Sequence, residues 1–125
     1  MTLTFDPSGK GLEKVLRDYQ IEALKLVWAS GETGLNSRQT YLQVNEALSG
    51  KTISRASIIN FLNAMVDAGV LNYRETTGKG GYRRIYSPKF DERGFRKYIA
   101  KTVIESLLND FPEETRQAIK EANLL

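Results

Sequence analysis

The spacing of apolar residues changes twice along this 125-residue chain. Between residues 19 and 69 apolar side chains recur every three or four positions, which predicts helices. From residue 70 to residue 86 runs of β-branched and aromatic residues predict a two-stranded hairpin. Helical spacing returns after Pro88. The sequence therefore predicts a mainly α fold with a small β-hairpin.

Three helices are predicted before the hairpin, behind a loosely patterned N-terminal extension at residues 1–18. A turn at residues 32–37 ends in Ser37, which is a favourable N-cap for the second helix. Two helices joined by a short link have the form of a helix-turn-helix. The predicted limits of the three helices are Tyr19–Ser30, Arg38–Leu48 and the stretch between the N-cap Ser54 and the terminating Gly69.

The third helix has a polar face without acids. That face carries Arg55, Ser57, Asn60 and Asn63, and the first carboxylate on the helix is Asp67. Exposed helical faces usually mix both charges, so this face suits the negatively charged edge of a DNA groove. The alternative is an ordinary amphipathic core helix that contacts no ligand.

A basic hairpin is predicted to follow this helix. Its strands would be Val70–Glu75 and Tyr82–Tyr86, with a glycine-rich tip at Thr76–Gly81. A hairpin attached to the second helix of a helix-turn-helix is a wing, so residues 19–88 are predicted to be a winged helix-turn-helix DNA-binding domain. Its cations are placed to reach phosphates or the minor groove: Arg74, Lys79, Arg83 and Arg84.

Residues 89–125 are predicted to form a long helix from the cap Asp91 to about Asn109 and a short helix opened by Pro112. Their apolar stripe is wider than one contact face needs. Because the winged core is too small to cover both helices, we expect a C-terminal helical dimerisation segment and a homodimer. The alternative is that the helices fold back on their own domain. The predicted dimerisation residues are Phe95, Tyr98, Ile99, Val103, Leu107 and Ile119.

Charge is distributed unevenly along the chain, whose formal net charge is +3. Residues 72–97 carry eight cations against three acids, whereas residues 105–125 carry five acids against two cations. A basic middle and an acidic tail are typical of a nucleic-acid face with a separate partner-binding end.

The composition excludes several kinds of chemistry. The chain has no cysteine and no histidine, which rules out disulfides, thiolate nucleophiles, zinc fingers and imidazole catalysis. Gly50-Lys51-Thr52 is similar to the end of a P-loop, but the glycine required five residues earlier is Asn45. We therefore expect no enzyme, no cofactor and no metal. A cytoplasmic location and no membrane association are expected, because no apolar run could span a bilayer and no signal-peptide pattern is present.

Three stretches resemble the penicillinase-repressor family of winged-helix regulators: Leu26–Gly31, Ser57–Leu71 and Arg84–Pro88. They match a tryptophan just before the glycine that ends the first helix, a serine with aliphatics and a Gly-x-Leu turn, and a Tyr-x-Pro at the end of the wing. The resemblance extends from about Tyr19 to the C-terminus. It implies a homodimeric repressor whose tail helices dimerise.

The resemblance also assigns roles to particular positions. It implies recognition-helix roles for Arg55, Ala56, Ser57 and Asn60, and wing roles for the residues around Lys79 and Arg83. The family's usual cation in the recognition helix is replaced by Ala56, which implies weaker or different base contacts. Without cysteine, the metal sensing of some relatives is not expected.

The predicted function is that of a sequence-specific DNA-binding transcriptional regulator that acts as a homodimer on double-stranded DNA, with repression implied by the resemblance alone. Two alternatives remain open: a winged-helix protein–protein interaction module and a sequence-independent DNA-binding protein. The predicted DNA-binding residues are Ser37, Arg38, Tyr41, Lys51, Ser54, Arg55, Ser57, Asn60, Asn63, Arg74, Lys79, Arg83 and Arg84.

Overall fold

The computed structural model describes residues 4–78 and 81–122. Within these residues the chain is mainly helical with a small three-stranded antiparallel sheet, an arrangement compatible with a winged helix. Two compact units are distinguished, one reaching Glu92 and the other beginning at Arg93. The helices are α1 (Asp18–Ser30), α2 (Ser37–Ala47), α3 (Arg55–Asp67), α4 (Glu92–Asp110) and α5 (Pro112–Glu121), and the strands are β1 (Leu35–Asn36), β2 (Leu71–Gly78) and β3 (Gly81–Pro88).

Side-chain caps define where α2 and α3 begin. Asn36, and not the predicted Ser37, caps α2: its Oδ1 accepts the N–H of Gln39 at 2.8 Å, and the side chain of Gln39 accepts the N–H of Asn36 at 2.9 Å. This reciprocal pair is a capping box, and Ser37 becomes the first helical residue. The predicted Ser54 cap is confirmed, since its Oγ accepts the N–H of Ser57 at 3.1 Å.

The sheet is larger than the sequence suggested. Its strand order is β1-β3-β2, and β1 lies within the stretch that was predicted to be only a turn. The hairpin strands also continue through most of the predicted glycine-rich tip, pairing Thr76 with Arg83 and Thr77 with Tyr82. Two β-branched threonines favour extended backbone, which explains the longer strands. Lys79 and Gly80, between the paired glycines, lie outside the described residues.

The core of the first unit is built from the apolar faces of α1, α2 and α3 and the first residues of β2. The N-terminal extension joins it through a short 3-10 turn, Gly11–Lys14, near which Leu12, Val15 and Leu16 are buried. The main core side chains are Leu24, Val27, Val44, Ile58, Phe61, Leu62, Met65, Val70 and Leu71. In the residues described, no helix combines the length and the apolar character needed to cross a bilayer.

The link between α2 and α3 is fixed by one side chain. The amide of Asn45 donates to the carbonyls of Tyr41 at 2.9 Å and Ile53 at 3.1 Å, and its Oδ1 accepts the N–H of Ile53 at 2.7 Å. Asn45 thereby satisfies both backbone groups of a residue just before α3. The direction in which α3 leaves the link is set by these bonds.

Gly34 marks a close approach between the loop before β1 and strand β3. Its φ is +73°, and a Cβ there would lie 2.5 Å from the carbonyl oxygen of Tyr86. Gly34→Ala is therefore expected to destabilise the fold by more than about 2 kcal/mol, because steric overlap adds to the left-handed backbone penalty. Gly50→Ala is the matched control, since Gly50 has φ +74° but open space around it. The control should lose only about 1 kcal/mol in urea unfolding, and equal losses would refute the close approach.

Candidate nucleic-acid interface

A cleft of about 730 Å³ opens between the start of α2, one face of α3 and strand β3. Arg55, Ile59 and Asn63 contribute from α3, where four-residue spacing places them on one face. The remaining lining residues are Asn36, Ser37 and Arg38 near the start of α2 and Tyr82, Arg83, Arg84 and Tyr86 on β3. The cleft thus joins the polar face of α3 to the hairpin.

This basic cleft, as we call it, is strongly positive. Arg38, Arg55, Arg83 and Arg84 all line it, and none of the described lining residues is acidic. Arginine presents a planar fork of donors that matches phosphate oxygens. The cleft is therefore suited chemically to an extended polyanion.

Six of the predicted DNA-binding residues meet in the basic cleft: Ser37, Arg38, Arg55, Asn63, Arg83 and Arg84. Beside it on α3, Asn60 is exposed, as is Arg55. The hydroxyls of Ser54 and Ser57 lie 2.9 Å apart and are hydrogen-bonded to each other at the start of α3. These two serines thus take part in the cap of α3.

Other predicted contact residues lie elsewhere. Arg74 donates to the backbone carbonyls of Glu32 at 3.3 Å and Thr33 at 2.9 Å, and it does not line the basic cleft. Lys51 forms an exposed ion pair of 3.1 Å with Asp18, and Tyr41 is half-buried on α2. Lys79 is outside the described residues. A DNA contact from any of these positions stays a prediction.

Asn63 connects α3 to the hairpin. Its Oδ1 accepts hydrogen bonds from Arg84 Nη1 at 3.1 Å and from Tyr86 Oη at 2.6 Å. The guanidinium carbon of Arg84 also lies 4.0 Å from the centre of the Tyr73 ring on β2. Since Arg84 only donates hydrogen bonds, the amide of Asn63 must turn its oxygen toward the hairpin.

Four residues that line the cleft are not among the predicted DNA-binding residues: Asn36, Ile59, Tyr82 and Tyr86. Tyr82 is 79% exposed on β3, and Ile59 lies between Arg55 and Asn63 on α3. The sequence pattern predicts Tyr82 only as the first residue of a strand. The sequence feature that could have indicated a binding role for Tyr82 is its position directly before two arginines. Aromatic residues interleaved with cations are common on nucleic-acid-binding surfaces.

The second unit carries an apolar groove of about 430 Å³ at the junction of α4 and α5. Leu107 and Ile119, both predicted dimerisation residues, line it, together with Ile104 and Phe111, which were not in the predicted set. Ile104, Leu107 and Phe111 are exposed, whereas Tyr98, Ile99 and Val103 are half-buried. Phe95 is buried and stacks on Tyr98, so it adds no exposed apolar area. We call this surface the α4–α5 groove.

Comparison with known proteins found no matching family model, no matching curated protein and no matching solved structure. The resemblance to the penicillinase-repressor family therefore remains a prediction from the quoted motifs.

Burial raises the pKa of the Tyr86 hydroxyl above its ordinary value of 10.0, although the nearby Arg84 opposes the shift. A raised pKa in the folded state means that the neutral hydroxyl stabilises the fold below the unfolded pKa. This contribution is lost as the pH rises through the folded pKa.

We therefore expect the free energy of unfolding to fall more steeply above about pH 10 in the wild type than in Tyr86→Phe. Urea unfolding of both proteins at about pH 8 and about pH 11 measures the difference. The other tyrosines are common to both proteins and cancel. A parallel fall in the two proteins would show that Tyr86 ionises as it does in the unfolded chain.

Proposed function

We propose that this protein is a sequence-specific DNA-binding transcriptional regulator of winged helix-turn-helix type that acts as a homodimer. The observation that carries the proposal is the basic cleft, in which four arginines from α2, α3 and β3 line one surface. Repression, rather than activation, rests on the family resemblance.

The polar face of α3 supports a reading role. Arg55 and Asn60 are exposed on this face, near the end of α3 that Ser54 caps. Arginine and asparagine are residue types that form hydrogen bonds with base edges in the major groove. An α-helix fits the width of the major groove. Arg55, Ser57 and Asn60 would then meet base edges while α2 and the hairpin lie along the phosphates.

The hairpin and the start of α2 support a backbone-gripping role. Arg38 is exposed at the start of α2, and Arg83 is exposed on β3. Cations on both sides of a reading helix fix its register without carrying sequence information. Tyr82, exposed between the hairpin tip and these arginines, adds a flat apolar surface for a sugar or base.

The α4–α5 groove supports the homodimer. It combines exposed Leu107 and Phe111 with Ala118 and Ile119, and its surface is almost wholly apolar. Such a surface gains free energy when a second copy covers it. A dimer would also present two reading helices to two half-sites about one helical turn apart.

The first experiment is selection from random duplex DNA with sequencing of the bound fraction, combined with fluorescence anisotropy at two salt concentrations. We expect enrichment of a two-fold symmetric motif. Tight binding that follows salt but not sequence would favour an architectural DNA-binding role. An absence of binding at low salt would overturn the proposal in favour of a protein-binding module.

Variants separate phosphate contacts from base contacts. Arg38→Gln should weaken binding to all sequences and lower the salt slope by about one, because one phosphate contact is lost. Asn60→Ala should reduce discrimination between sequences more than total affinity. Lys25→Gln, which removes an exposed cation from α1 outside the cleft, is the matched control and should leave both quantities unchanged. Equal effects of Arg38→Gln and Asn60→Ala on specific and non-specific DNA would refute these roles.

A charge placed in the α4–α5 groove tests the dimer. Leu107→Glu should shift the protein toward monomer in sedimentation velocity, because a carboxylate would be buried in the apolar interface. Ser106→Glu adds the same charge at the adjacent exposed position of α4, which does not line the groove. Only the first variant should change the mass. If the wild type itself sediments as a monomer, the homodimer is refuted.

A further inference from the structure

Asn63 and Arg84 hold each other at the meeting point of α3 and the hairpin. The Oδ1 of Asn63 accepts from Arg84 Nη1 and from Tyr86 Oη, at 3.1 and 2.6 Å. These partners are 21 and 23 residues away along the chain. The bonds therefore join two separate elements and do not stabilise either one alone.

Arg84 is held on a second side by an aromatic ring. Its guanidinium carbon lies 4.0 Å from the centre of the Tyr73 ring, a distance at which cation–π attraction is effective. Arg84 is also half-buried, in contrast to the exposed Arg38 and Arg55. A guanidinium that stacks on a ring and donates to an amide is oriented before any ligand arrives.

We infer that Asn63, Arg84, Tyr86 and Tyr73 form a lock that sets the angle of the hairpin against α3, so that Asn63 and Arg84 act on DNA binding as positioning residues. The inference rests on the proposed function for its DNA consequence. It differs from the sequence expectation, in which Asn63 lies on the groove-facing side of α3 and Arg84 is placed to reach phosphates or the minor groove.

The lock matters because α3 and the hairpin would contact DNA at the same time. If their relative angle is fixed beforehand, binding does not lose the entropy of ordering one against the other. A loosened hairpin would keep its cations but present them in many orientations. Affinity would fall while the number of phosphate contacts in the bound state stayed the same.

The test on the free protein is amide hydrogen exchange. Asn63→Ala should accelerate exchange in residues 73–77 and 82–86 while leaving α1 unchanged, because the hairpin loses its tie to α3. Asn63→Asp should restore protection, since a carboxylate accepts both hydrogen bonds and pairs with the Arg84 charge. If Asn63→Ala leaves hairpin exchange unchanged, the lock is refuted, whatever the protein does with DNA.

The test on DNA uses two charge-conserving replacements. Arg84→Lys keeps the charge but loses the planar guanidinium that stacks on Tyr73 and donates to Asn63. It should therefore weaken binding to the selected site by about tenfold, and Arg84→Met should weaken binding by the same factor. The salt slope should stay at the wild-type value in both variants. Lys25→Arg, a charge-conserving change at an exposed position of α1 outside the cleft, should bind as the wild type does. Thermal unfolding confirms that each variant is folded at the assay temperature.

Two results on DNA would overturn the inference. If Arg84→Lys binds like the wild type while Arg84→Met lowers the salt slope by about one, Arg84 is a phosphate contact. If Asn63→Ala changes the preferred base at a single position of the selected motif, Asn63 is a base-reading residue. A wild type that binds no DNA would overturn the proposed function and the DNA part of the inference, whereas the exchange experiment would still decide whether the lock exists.

Discussion

Strand β3 is fixed at Tyr86 from three directions, and the arrangement of the first unit depends on this point. Its backbone pairs with Leu35 on one side and with Tyr73 on the other. Its side chain is buried, with the hydroxyl bonded to Asn63 of α3, and Gly34 lies close against its carbonyl. The sheet, the connection from α1 to α2 and the helix α3 all meet here. A displacement of this residue would move all three together.

The helices were predictable because their apolar stripes are long and their ends carry distinct residues. Ser54 and Gly69 mark the limits of α3 through a hydroxyl cap and a positive φ. Strand β1 was not predictable, because two residues cannot show an alternating pattern. The cap of α2 was misplaced by one position, since Asn36 and Ser37 are adjacent and both residue types cap well. Only the reciprocal bond to Gln39 distinguishes them.

The candidate site was predictable in its charge but not in its internal bonding. Composition and spacing identified the arginines of α3 and the hairpin, and several of them line one cleft. The sequence does not reveal that Arg74 is bonded to carbonyls more than 40 residues away, or that Asn63 and Arg84 share a bond. The type and charge of each residue can be read directly from the sequence. Which residues far apart in the chain become hydrogen-bond partners depends on how the fold packs.

The shortness of β1 has a consequence for self-association. β1 pairs with Ile85 and Tyr86, so the outer edge of β3 from Gly81 to Arg84 extends beyond it. An uncovered strand edge is a template on which another chain can add a strand and begin an aggregate. Here consecutive arginines occupy that edge, and pairing it with the same edge of a second copy would bring like charges together. The arginines of β3 that line the basic cleft would thus also oppose the association of two copies through this strand edge.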